Sequence, residues 1–428
     1  MSSFRLITAD ALEGLRSLPS DSVHCAVTSP PYWSLRSYLP KDHPSRHLEL
    51  GHEASPEEYV GRLVVIFREL RRVLRPDGTL WINMGDAYIT KSHGQGPSFD
   101  PKYKSARNRP SGELFGNRAR TTAHGYKHKD LIGLPWMLAL ALRADGWYLR
   151  MDLIWHKRTP MPESVKDRPT RAHEYVFLLS KSERYYYDWV AVLEAASPQT
   201  HSRKSVGVNS RMLITHDPRH TPYARRERAI SDAVPAVRNL RSVWRVSAER
   251  SNLAHFATYP RALVRPCIFA GTSEKGCCPE CGAPWRRVVR RTFSGDWHPD
   301  PALKAEGVNR AAKWQSGDAK HALNGQPLHS GPCGPGTHHT VALQPETLYW
   351  RPTCRCLWGG NLRFNSDSDS PLPCTVLDPF AGAGTSGLVA IERGCDFIGI
   401  ELNPEYARMA QERALRFIEK RQQLEATA

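Results

Sequence analysis

Residues Thr375 to Glu401 read as strand, glycine loop, helix and strand, an order that few folds accommodate. Thr375 to Asp378 is a short apolar strand candidate, Thr385 to Glu392 starts a helix, and Asp396 to Glu401 is a second strand. Between the first strand and the helix lies Asp378-Pro379-Phe380-Ala381-Gly382-Ala383-Gly384-Thr385-Ser386-Gly387, which contains G-x-G-x-x-G. Gly382 and Gly384 let the backbone approach a ligand closely, and Glu401 ends the next strand where such folds grip a ribose diol. The pattern predicts an α/β fold with a mostly parallel sheet. A tight turn that only packs a helix on a strand is the plainer alternative, and a nicotinamide dinucleotide is a competing ligand. Asp378 argues against the dinucleotide, because a carboxylate at the loop's entry repels a pyrophosphate yet suits the ammonium of a sulfonium-amino-acid cofactor.

A second stiff loop stands almost a full chain away. Thr28-Ser29-Pro30-Pro31-Tyr32-Trp33 follows the apolar run Val23 to Val27, and two prolines fix a rigid segment at that strand's carboxyl end. In open α/β sheets this edge binds ligands. One hydroxyl, backbone carbonyls and two flat faces suit a planar, amine-bearing group such as a nucleobase.

The balance of charge points the same way. Lys+Arg 59 against Asp+Glu 43 gives a formal +16 over 428 residues, which favours a polyanionic partner, nucleic acid ahead of an acidic membrane surface. No apolar run reaches membrane-spanning length, and Met1 to Asp10 lacks the pattern of a secretory signal, so a cytoplasmic location is expected. Most of the 10 cysteines fall between Cys267 and Cys374, in Cys-x-x-Cys and Cys-x-Cys pairs that in a cytosolic chain read as a metal site before a disulfide framework.

Further elements follow in order. Phe4 to Thr8 is a strand and Ala11 to Leu18 a short helix. Lys41 to Gly51 reads as a mobile polar loop. Ser55, Pro56 and Glu58 cap a helix that keeps apolar spacing from Val60 to Leu74. Pro76-Asp77-Gly78 turns into a strand over Thr79 to Met84. Lys91 to Asp130 is polar, glycine-rich and basic, a loop insertion that orders on a partner. Leu131 to Leu142 is helical, Trp147 to His156 and Glu174 to Leu179 are strands, and Tyr185 to Asp188 is a candidate part of another. Between Ala195 and Arg250 apolar residues thin out and arginines accumulate: Arg203, Arg211, Arg219, Arg225, Arg226, Arg228, Arg238, Arg241 and Arg245. We read this as a nucleic-acid-facing segment, a solvated loop being the bland alternative. A packed helix runs to Phe269, and Asn403-Pro404 caps a last one through Lys420.

With both loops in place, the chain resembles the S-adenosylmethionine-dependent amino-group DNA methyltransferases in their permuted beta arrangement. The resemblance rests on Thr28 to Trp33 and Asp378 to Thr385. It extends to Arg72-Val73-Leu74-Arg75-Pro76-Asp77-Gly78, the Gly146-Trp147 to Lys157 strand, His173-Glu174-Tyr175 and Ala257-Thr258-Tyr259-Pro260. It implies a Rossmann-like methyltransferase sheet, mostly parallel with helices on both faces, in circularly permuted motif order. By the same resemblance Asp378, Phe380, Gly382, Gly384, Thr385 and Glu401 line the cofactor site, and Asp10 lies where the family contacts the adenine amine. A helix cap for Ala11 onward fits Asp10 equally well. The catalytic set is Ser29, Pro30, Pro31 and Tyr32. Ser29 at the leading position is the form associated with cytosine N4, where Asp more often marks adenine N6. Tyr32 would stack on a flipped base, while Trp33 is as readily wall or core. Cys25 reads as a buried small hydrophobe, which argues against cytosine C5 chemistry.

Cys278-Pro279-Glu280-Cys281 and Cys354-Arg355-Cys356 together offer four thiolates to one structural zinc, with Cys277 and Cys333 as substitutes. Unliganded cysteines in a flexible insertion are the alternative. Arg286, Arg287, Arg290 and Arg291 beside the knuckle suggest DNA contact or a solvated face. The expected organisation is a catalytic half over 1–190, a basic target-recognition region over 191–250, a cofactor half over 251–271 and 375–428, and a cysteine-rich insertion over 272–374. The expected activity is methyl transfer to the N4 amine of cytosine in double-stranded DNA, with a companion restriction endonuclease as a candidate partner. Adenine N6, RNA methylation and a non-catalytic zinc-containing DNA-binding protein are the alternatives. Recognition sequence and oligomeric state are not legible.

Overall fold

The structure, a computed structural model, describes residues 3–40, 42–89, 125–196, 237–249, 259–290, 293–294, 341–342, 345–356 and 370–427. The chain divides into one unit of Met1–Val192, Leu240–Val288 and Tyr349–Ala428, and a second of Leu193–Asn239 and Val289–Leu348.

The first unit holds an eight-stranded sheet. Its strands are β1 (Phe4–Thr8), β2 (Val23–Thr28), β3 (Leu74–Met84), β4 (Tyr148–Lys157), β5 (His173–Ser180), β6 (Val243–Val246), β7 (Thr375–Asp378) and β8 (Asp396–Glu401). They lie side by side as β1-β8-β7-β2-β3-β5-β4-β6. Pairing is parallel from β1 through to β3 and between β4 and β6, and only β5 runs antiparallel to its neighbours. The sheet is thus mostly parallel, as expected.

Helices cover both faces, and the period-two alternation of the central strands shows it. Ala26 of β2, Leu80 and Ile82 of β3, and Phe177 and Leu179 of β5 share a core with α1 (Ala11–Arg16), α2 (Pro56–Val73) and α3 (Leu134–Ala144). Cys25, Val27, Trp81, Val176 and Leu178 point the other way, into a core with α4 (Arg261–Gly271) and α5 (Thr385–Arg393). β2 is buried along its whole length, which is why it reads as a continuous apolar run. The final helix, α6, spans Pro404–Thr427. The capping box of α2 is present: Glu58 N donates to Ser55 Oγ at 3.1 Å and Ala54 N to Glu58 Oε2 at 3.0 Å.

Three local expectations differ from the structure. β3 begins at Leu74 and passes through Pro76-Asp77-Gly78. Leu74 pairs with Val23, the register then shifts, and Thr79 pairs with Cys25, so the turn residues bulge within a strand instead of preceding it. Tyr185 to Asp188 is not a strand. Its backbone donors reach Asp77 O and Ala270 O, both at 2.8 Å, outside any ladder. The polar segment after Pro40 contains a short 3₁₀ turn, Pro44–Leu48, and is tied down by Glu49 as described below.

In the second unit, Glu194–Ala195 pairs antiparallel with Val237–Arg238, and Arg238 Nε reaches Glu194 Oε1 at 2.8 Å. Phe293–Ser294 pairs antiparallel with Val341–Ala342. Most of the arginine-rich segment, Arg203 to Arg228, lies outside the described residues, as do Cys333, Arg291 and most of the 91–130 insertion. No helix among the described residues is long and apolar enough to cross a membrane.

Candidate active site

β7 and β2 are parallel neighbours, with Val376 against Cys25 and Leu377 against Ala26. From β7 the chain turns through α5 to β8 on one side, and from β2 through α2 to β3 on the other. Their carboxyl ends therefore open a crevice at a topological switch point. The cavity there is lined from the first loop by Ser29 and Pro31, from the glycine loop by Phe380, Gly382 and Thr385, and from flanking strands by Asp10 and Glu401. Tyr38, Leu39, Leu48, Glu49, Leu50, Asn403 and Tyr406 are also part of the wall. Pro30, Tyr32, Asp378 and Gly384 lie outside this lining.

The glycine loop has the backbone that its residues allow. Gly384 caps α5 in the left-handed region at φ 72°, and a Cβ there would come within 2.9 Å of Ala410 Cβ. Gly382 donates its N–H to Glu401 Oε2 at 2.7 Å, and Asn403 N donates to Glu401 Oε1 at 2.8 Å. Burial, with the Asp378 charge nearby, nevertheless pushes the Glu401 carboxyl up to about 7.

Asp378 stands behind the cavity wall. Its carboxylate accepts from Thr28 Oγ1 at 2.7 Å, Tyr259 Oη at 2.8 Å, Phe380 N at 3.1 Å and Ser386 Oγ. Four donors, two of them from the glycine loop itself, make this acid a junction of the two loops. Burial raises its pKa even so. Asp10 does both things open to it: Oδ1 accepts from Leu12 N at 3.0 Å and Glu13 N at 3.4 Å, capping α1, and the residue also borders the cavity.

Glu49 was not legible as a site residue. Its carboxylate accepts from Ser37 Oγ at 2.7 Å, Tyr38 N at 2.6 Å and Leu39 N at 2.7 Å, with His52 Nε2 at 2.9 Å. Burial opposes ionisation, but these hydrogen bonds hold its carboxyl below the ordinary value. Glu49 thus ties the segment expected to be mobile to residues 37–39, and Asn403 Nδ2 in turn donates to Tyr38 O at 2.7 Å.

A polar cluster backs the first loop. Tyr32 Oη donates to Glu174 Oε2 at 2.8 Å, Asn83 Nδ2 to the same oxygen at 3.1 Å, and Lys157 Nζ to Glu174 Oε1 at 2.5 Å. Gly85 makes room for the ring, since a Cβ there would meet Tyr32 Cε2 at 2.8 Å. Sequence matching reached Glu174 and Lys157 only as parts of strands. Trp33 is buried, with its indole N–H on Glu53 O at 2.9 Å, and belongs to the core. Cys25 is fully buried, and its thiol is pushed up to about 12 by burial, which leaves no thiolate for attack.

The sulfurs of Cys278, Cys281, Cys354 and Cys356 lie within 4.8 Å of one another, and all are free thiols. Thiolates around one tetrahedral zinc stand about 3.8 Å apart, so the donor set and its compactness fit that ion. The knuckle is anchored on the sheet: Arg75 Nη1 donates to Cys281 O at 2.7 Å, and His24 Nε2 bonds Gly282 O at 2.8 Å. A second group, His24, Cys277 and Cys374, is equally compact. There His24 Nδ1 accepts from Thr375 N at 3.0 Å, so both ring nitrogens are already used. Arg287 is paired with Asp188 at 3.1 Å and Glu274 at 2.6 Å and is nearly buried.

A family model described as DNA methylase, for N6 and N4 enzymes, matches residues 23–278 and 373–412. The chain is 44% identical over 268 residues to the Type II methyltransferase M.Cfr9I of Citrobacter freundii, covering 62% of this chain and 72% of that protein. It is 32% identical over 408 residues to the Type II methyltransferase M.XycI of Xanthomonas campestris pv. cyanopsidis, covering 95% and 86%. Among solved structures, the cytosine-N4-specific PvuII DNA methyltransferase aligns at a TM-score of 0.46 and 15% identity, over 96% of this chain and 86% of that one.

Proposed function

The chain belongs to the DNA methylase family of N6 and N4 enzymes, and on that premise we propose that it methylates the exocyclic N4 amine of a cytosine flipped out of duplex DNA, using S-adenosylmethionine. The observation that carries this reading is the single cavity bordered by Ser29 and Pro31 on one side and by Phe380, Gly382 and Glu401 on the other. When bound, the cofactor supplies an electrophilic methyl group on a sulfonium. Glu401 is suited to the ribose diol, and Asp10, Phe380, Gly382 and Thr385 to the rest of the nucleoside. Asp378 shapes the loop that receives it, because its own oxygens are already engaged by protein donors.

An exocyclic amine is a poor nucleophile because its lone pair is delocalised into the ring. Hydrogen bonds from the amine to Ser29 Oγ and the Pro30 carbonyl favour a pyramidal nitrogen with its lone pair aimed at the methyl carbon. Alignment and electrostatics then do most of the work. We assign stacking on the base to Tyr32, whose hydroxyl is held by Glu174. The serine at position 29 favours cytosine N4 over adenine N6. We also propose one structural zinc on Cys278, Cys281, Cys354 and Cys356, and target reading by the basic 191–250 region.

Incubation with labelled S-adenosylmethionine and duplex DNA, and in parallel with RNA, followed by digestion to nucleosides, tests the reading. N4-methylcytosine is expected. Label only in N6-methyladenine would overturn the cytosine assignment, and label in RNA but not in DNA would move the substrate class.

A further inference from the structure

Hairpin loops commonly take about 2–5 residues, but β4 and β5 are antiparallel partners joined by all of residues 158–172. β3 runs parallel to β2, β5 runs against β3 and β4 against β5, so this loop leaves the same sheet edge as the Ser29 loop. Both its roots meet the surroundings of Tyr32. Lys157 Nζ and Tyr32 Oη share the Glu174 carboxylate, and Arg171 Nη1 donates to Asp86 O at 2.6 Å, next to the Gly85 that faces the Tyr32 ring. The loop is also braced. Arg168 Nη1 donates to Glu163 Oε2 at 2.6 Å, its guanidinium lies 4.0 Å from the centre of the Tyr88 ring, and Lys157 N donates to Ala172 O at 2.8 Å. Long connections held on a rigid scaffold in this way are commonly functional.

Met161 in this loop is 85% exposed, more than any other large apolar residue among the described residues, and Pro160 and Pro162 stiffen the backbone on either side of it. One exposed apolar residue is ordinary on a protein surface. A rigidly presented one, on the edge where a base must leave its duplex, has a use. Arg158 and Lys166 are exposed in the same loop and have no ion-pair partner among the described residues. We propose that Met161 enters the duplex and fills the space vacated by the target base, with Arg158 and Lys166 on the flanking phosphates. The inference rests on the functional reading above. Flipping costs the pairing and stacking of one base. An apolar wedge between base steps accompanies such unstacking in many DNA-binding proteins, and Met is among the residues that serve. Its polarisable thioether suits the flat faces of the neighbouring bases, and the two prolines leave little backbone freedom to lose on insertion. Met161 is thus a positioning residue: it touches neither the methyl group nor the amine, but holds open the state in which they meet.

Sequencing of the wild-type product locates the methylated base, and duplexes are then built around it. On the fully paired duplex, Met161→Ala is expected to slow single-turnover methyl transfer about tenfold, within the cost of unstacking one base, while Met161→Leu stays within about twofold of wild type. A mismatch at the target lowers the cost of flipping and should bring Met161→Ala back to within about twofold. Melting temperature and S-adenosylmethionine affinity should not change, because the side chain is exposed and is not part of the cavity lining. A readout independent of methylation is 2-aminopurine at the target position. Its fluorescence should rise on binding wild type or Met161→Leu, and rise several-fold less with Met161→Ala. Replacing Arg158 and Lys166 together by Ala should reduce the slope of log affinity against log salt by about 2; an unchanged slope would remove them from the phosphates. Met161→Ala that flips and methylates as wild type does would make the side chain an idle surface residue and overturn the wedge, as would an equal loss on paired and mismatched duplexes. No methyl on DNA from wild type would overturn the functional reading and the wedge with it.

Discussion

Thr28 Oγ1 donates to Asp378 Oδ1 at 2.7 Å, a bond between residues 350 positions apart that joins the two loops at their roots. Replacing Thr28 by Val keeps the shape of β2 and removes one of four donors from a buried carboxylate. A loss of about 1–3 kcal/mol is expected, the cost of leaving a buried acceptor short of a partner. Chemical denaturation of Thr28→Val against wild type measures it, and an unchanged midpoint would mean that water replaces the hydroxyl.

Ser29→Ala should separate chemistry from binding. Turnover is expected to fall by roughly 10²-fold or more, as for loss of a positioned proton acceptor. Titration with S-adenosylmethionine should give an affinity close to that of wild type. Parallel losses in rate and affinity would mean that the serine shapes the cofactor site instead.

Glu401 predicts a pH dependence with a definite sign. Its folded pKa of about 7 lies above its ordinary 4.5, so the folded state binds the proton more tightly. The contribution to stability is fully present below about 4.5 and is lost as pH rises through about 7. The whole effect is on the order of 3 kcal/mol. Glu401→Gln should flatten this part of the stability–pH curve of the ligand-free protein. S-adenosylmethionine affinity should rise over the same window, because the ionised carboxylate is the better acceptor for a diol.

The four-cysteine cluster predicts one zinc per chain by elemental analysis of the purified protein. Cys281→Ser should lower both the zinc content and the melting temperature. A full complement of zinc in that variant would move the site elsewhere.

Gly85→Ala tests the packing behind Tyr32. The added methyl would sit 2.8 Å from Tyr32 Cε2 and 3.4 Å from Glu174 Cδ, so the ring must shift. Methyl transfer should slow by about tenfold, as expected for a misaligned reacting group, while cofactor affinity holds.

Local patterns carried the parts of this fold that are local. The Ser55 cap, the run over β2, and the order of strand, glycine loop, helix and acid each concern neighbouring residues, and each is found where the pattern puts it. Glu49 and Glu174 are different. Each is an ordinary acid in its own segment and acquires meaning only from partners that the fold supplies, Ser37 and Leu39 for one, Tyr32 and Lys157 for the other. The same holds for Pro76-Asp77-Gly78, whose turn chemistry is kept as a bulge because β2 pairs on both sides of it. Asp378 had a site-like reading from its place before the glycines. Its hydroxyl partners at positions 28, 259 and 386 give it a joining role that spacing does not show.

The adjacency of β2 and β7 also sets a timetable for biosynthesis. The strand that leads to Ser29 leaves the ribosome long before its neighbour in the sheet, which ends at Asp378, 350 positions after Thr28. Until Asp378 has been synthesised, β2 lacks a neighbour on one side and the buried Thr28 hydroxyl has no acid to meet. Such late, distant pairing makes folding slow and exposes an apolar strand edge meanwhile. A nascent chain would therefore be unable to form the two-loop cavity until the glycine loop has been made.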